Sequence, residues 1–267
     1  MKIYKILLLR RFIQLSLIFF YFMGNYAGWK VLQGNLSSSM VFGVIPLSDP
    51  FAILQLLCSG AIVGANALLG ALLILIFYGL IVGRAFCAYV CPMNMVTDLA
   101  NYLRRVLKIS VLGSPVHLRR SVRYVALGLA LVLSAVFGMS AFEAISPISM
   151  LHRGLVFGMG FGIFAVVLIF LLDLFLVKNG FCGHICPLGA FYSIIGRFSL
   201  LKVKYNLEAC TQCMECKKVC PEKQVLNLIG KESGNIIGLG CTKCGRCIEV
   251  CGDNALNFNI LDFAKRS

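Results

Sequence analysis

Four long apolar runs dominate the first two thirds of this chain, at about residues 12–29, 61–82, 124–142 and 157–177. Short polar and basic stretches separate them, and Asp173 is the one charged residue inside any of them. A helix of about 20 predominantly apolar residues crosses a bilayer core. The pattern therefore predicts four spanning helices. The first run follows Lys2, Lys5, Arg10 and Arg11, as a signal peptide would. It is long and no small-residue cleavage site follows, so it reads as a retained anchor. Residues 51–58 are also apolar, but Pro46, Asp49 and Pro50 bound them, and joined to 61–82 they are too long for one span. They are expected to form a helix lying at the outer interface.

Basic residues orient these spans. The N-terminus holds four Lys and Arg, the stretch from Arg84 to Arg123 seven, and the part from Lys178 onward twelve. The other two loops hold one each, Lys30 and Arg153. Positive loops stay in the cytoplasm. This predicts a multi-pass membrane protein with both termini cytoplasmic. Composition agrees: the chain is 59% hydrophobic and 13% charged, where soluble domains carry about 25% charged residues. The net charge of +14 is then mostly topology. No recognition motif accompanies it, so nucleic acid is not an expected partner.

Past residue 200 the pattern changes, and cysteine takes over. Cys210-x2-Cys213-x2-Cys216-x3-Cys220-Pro221 is followed by Cys241-x2-Cys244-x2-Cys247-x3-Cys251. This is the bacterial ferredoxin ligand pattern for two 4Fe-4S clusters, in which the fourth cysteine of each run serves the other cluster. The expected ligand sets are Cys210, Cys213, Cys216 and Cys251, and Cys241, Cys244, Cys247 and Cys220. A disulfide framework does not explain the repeated spacing. The fold expected is an all-α membrane four-helix bundle over residues 1–200, followed by a small α+β dicluster ferredoxin-like domain over 203–260. Gly252 follows Cys251 where the pattern often has Pro, which should matter little because Pro donates nothing to iron.

A second cysteine signature occurs twice. Phe86-Cys87-Ala88-Tyr89-Val90-Cys91-Pro92 and Phe181-Cys182-Gly183-His184-Ile185-Cys186-Pro187 align at an offset of 95 residues, each just past an apolar run. This looks like an internal repeat. Pro suits the first position of a helix, which makes Cys91 and Cys186 expected N-cap residues, and a helix N-terminus stabilises a thiolate. Three roles stay open for Cys87, Cys91, Cys182 and Cys186: ligands of a third cluster, redox-active dithiols, or packing. Cys58 stands alone and reads as a small buried hydrophobe.

Together these features resemble the NapH family, the ferredoxin-type membrane subunit of the quinol dehydrogenase that serves periplasmic nitrate reductase. The resemblance runs from the basic N-terminus to Cys251, and the paired Cys-x3-Cys-Pro motifs make it specific. It implies a redox subunit that works inside a complex. Quinol would be the substrate, a periplasmic iron–sulfur subunit of the NapG type the partner, and cytochromes or nitrate reductase the downstream acceptors. Related membrane polyferredoxins, including a regulator of nitrous oxide reductase and a copper-handling oxidase assembly protein, imply longer chains.

Quinol oxidation releases protons and needs acceptors near the membrane surface. Glu143 and His152 are candidates on the outer side and Asp173 near the cytoplasmic end of the fourth run. Each also has a plain reading as an interfacial polar or ion-paired residue. His184 stands where the first motif has Tyr89 and is placed to tune the neighbouring thiolates, while His117 reads as a surface residue. Two other functions remain: a metal (copper) reductase or cofactor-assembly factor using the Cys-x3-Cys-Pro thiols, and a redox sensor, which no signalling domain accompanies.

Overall fold

A computed structural model describes residues 5–108, 120–158 and 160–260. His117 lies outside the described residues. The first helix, Lys5–Tyr26, has 22 residues, about 33 Å at 1.5 Å per residue. It buries Arg10, Gln14, Tyr21 and Gly24, which fall on one face. Its exposed face carries Leu8, Leu9, Phe12, Leu15 and Phe19. That is the reverse of a helix on a water-soluble core, which turns its apolar stripe inward.

The same inversion recurs. The second apolar helix, Ala65–Val82, exposes Leu68, Leu69, Leu72, Leu73 and Ile76 and buries Gly70, Ala71, Tyr78 and Gly79. Helix Val122–Phe137 buries Arg123, Leu127, Ala130 and Ser134 and exposes Val125, Leu129, Val132 and Val136. Two of these helices, Lys5–Tyr26 and Ala65–Val82, are long and apolar enough to cross a membrane. The other two segments are shorter than the apolar runs that announce them. Val122–Phe137 stops at Gly138, whose φ of +66° is left-handed. The last comprises Gly162–Leu171 and a wide π-helical turn, Leu172–Leu176. The second helix ends in the same way, in a π-helical turn at Phe77–Val82.

The chain divides into two compact units. One comprises residues 14–75 and 91–191. It holds the helix Pro50–Cys58, N-capped by Asp49 and buried through Phe51, Ala52, Ile53 and Gln55. The helix packs on Val122–Phe137. Gln55 ties that pair to the next turn, its Oε1 accepting from Phe142 N at 2.9 Å and Ser134 Oγ at 3.3 Å. This segment is a helix, as its pattern predicts, but one face is packed away. Ninety-seven residues on, Pro147–Phe157 repeats the design, with Pro at its first position and Ser146 as its cap. A three-stranded antiparallel meander, Leu32–Gly34, Ser38–Val41 and Ile45–Ser48, fills the loop before Pro50. The sequence reading has no strand there.

The second unit comprises residues 1–13, 76–90 and 192–267. Its centre is the strand Leu201–Tyr205, paired antiparallel with Gly234–Ile236 on one side and Leu256–Ile260 on the other. Two short helices, Glu215–Val219 and Arg246–Val250, pack on each other. Val203, Tyr205, Leu226, Ile229, Ile236 and Leu256 form the core under them.

Candidate functional site: the paired cysteine loops

The two ferredoxin runs adopt one backbone shape twice. In the first loop Gln212 and Met214 have φ of +56° and +59°; in the second, Lys243 and Gly245 have +52° and +72°. These are matching positions between the first, second and third cysteines. Left-handed residues at both places curl the loop so that its backbone N–H groups and cysteines turn toward one centre. The third cysteine of each run then sits in the following short helix, where Cys216 and Cys247 are buried.

The structure gathers the thiols in two groups of four. Around Cys216 stand Cys210, Cys213 and Cys251. Around Cys247 stand Cys244, Cys241 and Cys220, with Cys216 beyond them. The fourth cysteine of each run thus lies with the other run's first three. Cys220, Cys241, Cys244 and Cys247 line one pocket, with Pro221, Val225 and Ile236 as its apolar wall. No disulfide joins any of the thirteen cysteines. Burial pushes the Cys216, Cys241 and Cys247 thiols up, and neighbouring thiols add to it. Among the described residues no three Cys, His, Asp or Glu side chains close on a single metal ion. A cubane asks for a wider arrangement, one thiolate per iron around a four-iron cage, and four inward-facing cysteines on a lined cavity fit it.

The surroundings of the two groups differ. Beside the first, Cys213 is exposed and Thr211 hydrogen-bonds Asp253 on the surface. Beside the second, Arg84 Nη1 reaches Glu222 Oε1 at 3.1 Å and Gly240 O at 3.0 Å, all buried. Lys243 is buried against Ser199 Oγ. Burial lowers its pKa to about 8, and Lys202 nearby contributes. Gly83, left-handed at φ +70°, leaves room for this: a Cβ there would strike Lys243 Nζ and Ser199 Oγ. The turn that ends helix Ala65–Val82 is therefore locked to the second cysteine loop. Sequence reasoning missed Arg84, Glu222 and Lys243, although Arg84 stands two residues before Phe86 and Glu222 two after Cys220.

The Cys-x3-Cys-Pro motifs sit at helix starts. Cys186 caps helix Pro187–Ile195, and its Sγ accepts from Gly189 N at 3.4 Å. Pro187 takes the first helical position. In the first motif the helix begins one residue later, at Met93. The Cys91 carbonyl accepts from Asn94 N at 3.2 Å and from Gln14 Nε2 at 3.2 Å. A buried arginine attends each motif: Arg10 Nε donates to Ala88 O at 3.2 Å, and Arg123 lies on a helix packed against Phe181–Ile185. Burial lowers the His184 pKa, and Arg120 and Arg123 push the same way. Cys58 is exposed rather than buried. It ends the helix Pro50–Cys58, whose buried face stops at Gln55.

The three proton-acceptor candidates have different surroundings. Glu143 Oε1 accepts from Ser37 Oγ, from Ser149 Oγ at 2.9 Å and from Arg153 Nη2 at 3.3 Å. His152 is buried edge-on against Tyr21, ring centroids 4.7 Å apart, with both ring nitrogens unpartnered. Asp173 is fully buried in the wide turn, and its Oδ1 accepts from Phe181 N at 3.4 Å.

A family model described as a 4Fe-4S binding domain matches residues 63–110 and again 159–207, so one model covers both copies of the repeat. A second, described as a 4Fe-4S dicluster domain, matches 202–252. The chain is 40% identical over 260 residues to the ferredoxin-type protein NapH of Haemophilus influenzae, covering 96% of this chain and 90% of that one. It is 40% identical to NapH of Escherichia coli over 252 residues, 93% and 87% of the two chains. The methylamine utilization ferredoxin-type protein MauN of Paracoccus denitrificans is 44% identical over 220 residues, 82% and 77%. No solved structure matches the chain. Two curled cysteine loops, the doubled motif and identity of this extent place the chain in the NapH family of ferredoxin-type iron–sulfur electron-transfer proteins.

Proposed function

We propose that this protein is the membrane electron-transfer subunit of a quinol dehydrogenase, with two 4Fe-4S clusters held by Cys210, Cys213, Cys216 and Cys251 and by Cys241, Cys244, Cys247 and Cys220. The observation that carries the reading is the lock between helix Ala65–Val82 and the second cysteine loop, made by Arg84, Glu222 and Gly240 O. A mobile carrier would hang its ferredoxin part on a linker. Here residues 76–90 and 192–267 form one compact unit, so the cysteine loops stay at a fixed distance from the end of an apolar helix.

A 4Fe-4S cluster takes up and gives back one electron with little change of shape. The chain's own residues do the rest. The cavity wall of Val225 and Ile236 keeps water from the second group, and Arg84 and Lys243 set positive charge beside it. The first group, with Cys213 exposed, offers a docking point. In this reading four apolar segments span the inner membrane, a reading supported by the outward apolar faces of Lys5–Tyr26, Ala65–Val82 and Val122–Phe137. Both termini lie in the cytoplasm, on the side of the basic loops. Cys87, Cys91, Cys182 and Cys186 serve as further iron–sulfur ligands, a role supported by the double match of the 4Fe-4S binding model. Electrons leave quinol and pass, through a periplasmic iron–sulfur partner of the NapG type, toward nitrate reductase.

The test is reconstitution of the full chain with its partner subunits in nanodiscs. Added quinol should reduce the chain's clusters, seen as new low-temperature EPR signals. Signals that stay silent under excess quinol, with all partners present and dithionite able to elicit them, would reject the reading. Chemical analysis should find more than the roughly eight irons per chain that two 4Fe-4S clusters hold; eight alone would leave the Cys-x3-Cys-Pro motifs without one.

A further inference from the structure

The two copies of the internal repeat are built alike but filled differently. In the first, Tyr78 of the wide turn packs on Phe86 and Tyr192, and Phe86 stacks on Tyr192 with centroids 4.7 Å apart. Ninety-five residues separate each position from its counterpart, so the matching positions in the second copy are Asp173, Phe181 and Thr97. There the aromatic plug is replaced by polar groups. Asp173 lies fully buried in the turn Leu172–Leu176, which packs on helix Met93–Val106. That helix contributes Asn101 and Arg104, one turn apart. The loop after the wide turn contributes Asn179.

These groups satisfy one another only in part. Asn101 Nδ2 donates to Asn179 Oδ1 at 2.7 Å and to Thr97 O at 2.7 Å. Asp173 Oδ1 accepts from Phe181 N. Asn101 Oδ1, Asn179 Nδ2, Asp173 Oδ2 and Arg104 Nε and Nη2 are buried without a hydrogen-bond partner. Five of the eleven such atoms among the described residues thus fall in this one place. Native interiors rarely leave buried polar atoms unpaired, and a cluster of them calls for a missing group. The Arg104 charge faces Asp173, yet the buried atoms of the two do not join.

The chemistry of the missing group follows from the set. One carboxylate opposed by one guanidinium disfavours a bare cation or a bare anion. Two free acceptors and three free donor atoms suit a neutral ligand that both gives and takes hydrogen bonds. Wide helical turns of this kind occur frequently at functional sites. Phe175 and Leu176, on the same turn, are exposed and offer an apolar surface for a tail. We propose that Asn101, Arg104, Asp173 and Asn179 bind the headgroup of a quinol or quinone. A quinol hydroxyl donates to Asp173 Oδ2 or Asn101 Oδ1, and a quinone carbonyl accepts from Arg104 or Asn179. The inference rests on the quinol-linked reading above, and it places the headgroup at this turn rather than beside Glu143 and His152.

The test is equilibrium dialysis of the full-length, iron-loaded chain in nanodiscs against a short-chain naphthoquinone and a short-chain benzoquinone. Asp173→Asn and Arg104→Gln should each weaken binding at least tenfold, with Arg104→Lys recovering part of the loss. Iron content and cluster EPR should stay at the parent level, which separates loss of the site from loss of the fold. If either replacement costs iron, Asn179→Ser, a smaller change on the same cluster, must still weaken binding severalfold. Parent-like affinity in iron-replete variants overturns the inference and leaves water as the group that fills the cluster. Loss of binding in His152→Gln or Glu143→Gln, with none in Asp173→Asn, moves the headgroup to the other end and overturns it too. A parent chain that binds neither quinone overturns the quinol-linked reading itself.

Discussion

Arg84 and Glu222 meet at 3.1 Å with both side chains 3% exposed. They join the turn after an apolar helix to the residue beyond Cys220-Pro221. Removing one partner of such a pair leaves a buried charge and costs about 3–5 kcal/mol, whereas replacing both with apolar groups is often near neutral. Arg84→Met should therefore lower the thermal midpoint and release iron from the Cys220 group first. The double replacement Arg84→Met, Glu222→Leu should recover most of the stability. Cluster-specific EPR intensity during a thermal ramp reads both effects. Equal losses in single and double variants would mean that the pair does not couple.

Crossed ligation gives the second prediction. Cys220 lies with Cys241, Cys244 and Cys247, so Cys220→Ser should damage the cluster of the second run, and Cys251→Ser that of the first. Each should drop iron by up to about four atoms per chain. The two variants should differ in EPR, with the spectrum that survives in Cys251→Ser belonging to the enclosed group lined by Val225 and Ile236. Loss of the same signal in both variants would reject the crossed sets.

Much of this arrangement was legible from residue spacing. Cysteine periodicity announced the two loops because cluster chemistry tolerates few spacings, and the 95-residue offset announced the repeat because both copies place Cys-Pro at the beginning of a helix. What stayed hidden depends on contacts distant in sequence. Nothing around Arg84 announces Glu222, 138 residues away. Asn101 and Arg104 look like ordinary polar residues until the Leu172–Leu176 turn packs on their helix and the loop after it brings Asn179 to Asn101. The meander at 32–48 escaped because its strands have only three or four residues each, too few for alternation to stand out. The span ends were overextended for a similar reason: apolar residues continue past Gly138, but a left-handed glycine ends the helix there.

His152 supplies a pH dependence. Burial lowers its pKa from 6.5 to about 4, with the Arg153 charge contributing, while the Tyr21 ring covers it. A group whose folded pKa is depressed binds protons more readily when unfolded. The folded state is then fully favoured above pH 6.5 and loses stability as pH falls from 6.5 toward 4. The full loss across that window is at most about 3 kcal/mol. The thermal midpoint of the parent should fall through this range, and His152→Phe should flatten that slope. An unchanged slope in the variant would assign the pH dependence to other groups.

The last prediction separates chemistry from packing at Cys186. Its Sγ accepts from Gly189 N as the cap of helix Pro187–Ile195. Serine is a good N-cap, and replacing a capping side chain with alanine costs about 1 kcal/mol. On the capping contribution alone, Cys186→Ser should keep the thermal midpoint of the parent, while Cys186→Ala should lower it by a few degrees. If the thiolate carries redox chemistry, both variants should lose quinol-dependent cluster reduction alike, because neither has a sulfur to offer. A capping role alone would split them, with serine active and alanine impaired in step with its stability.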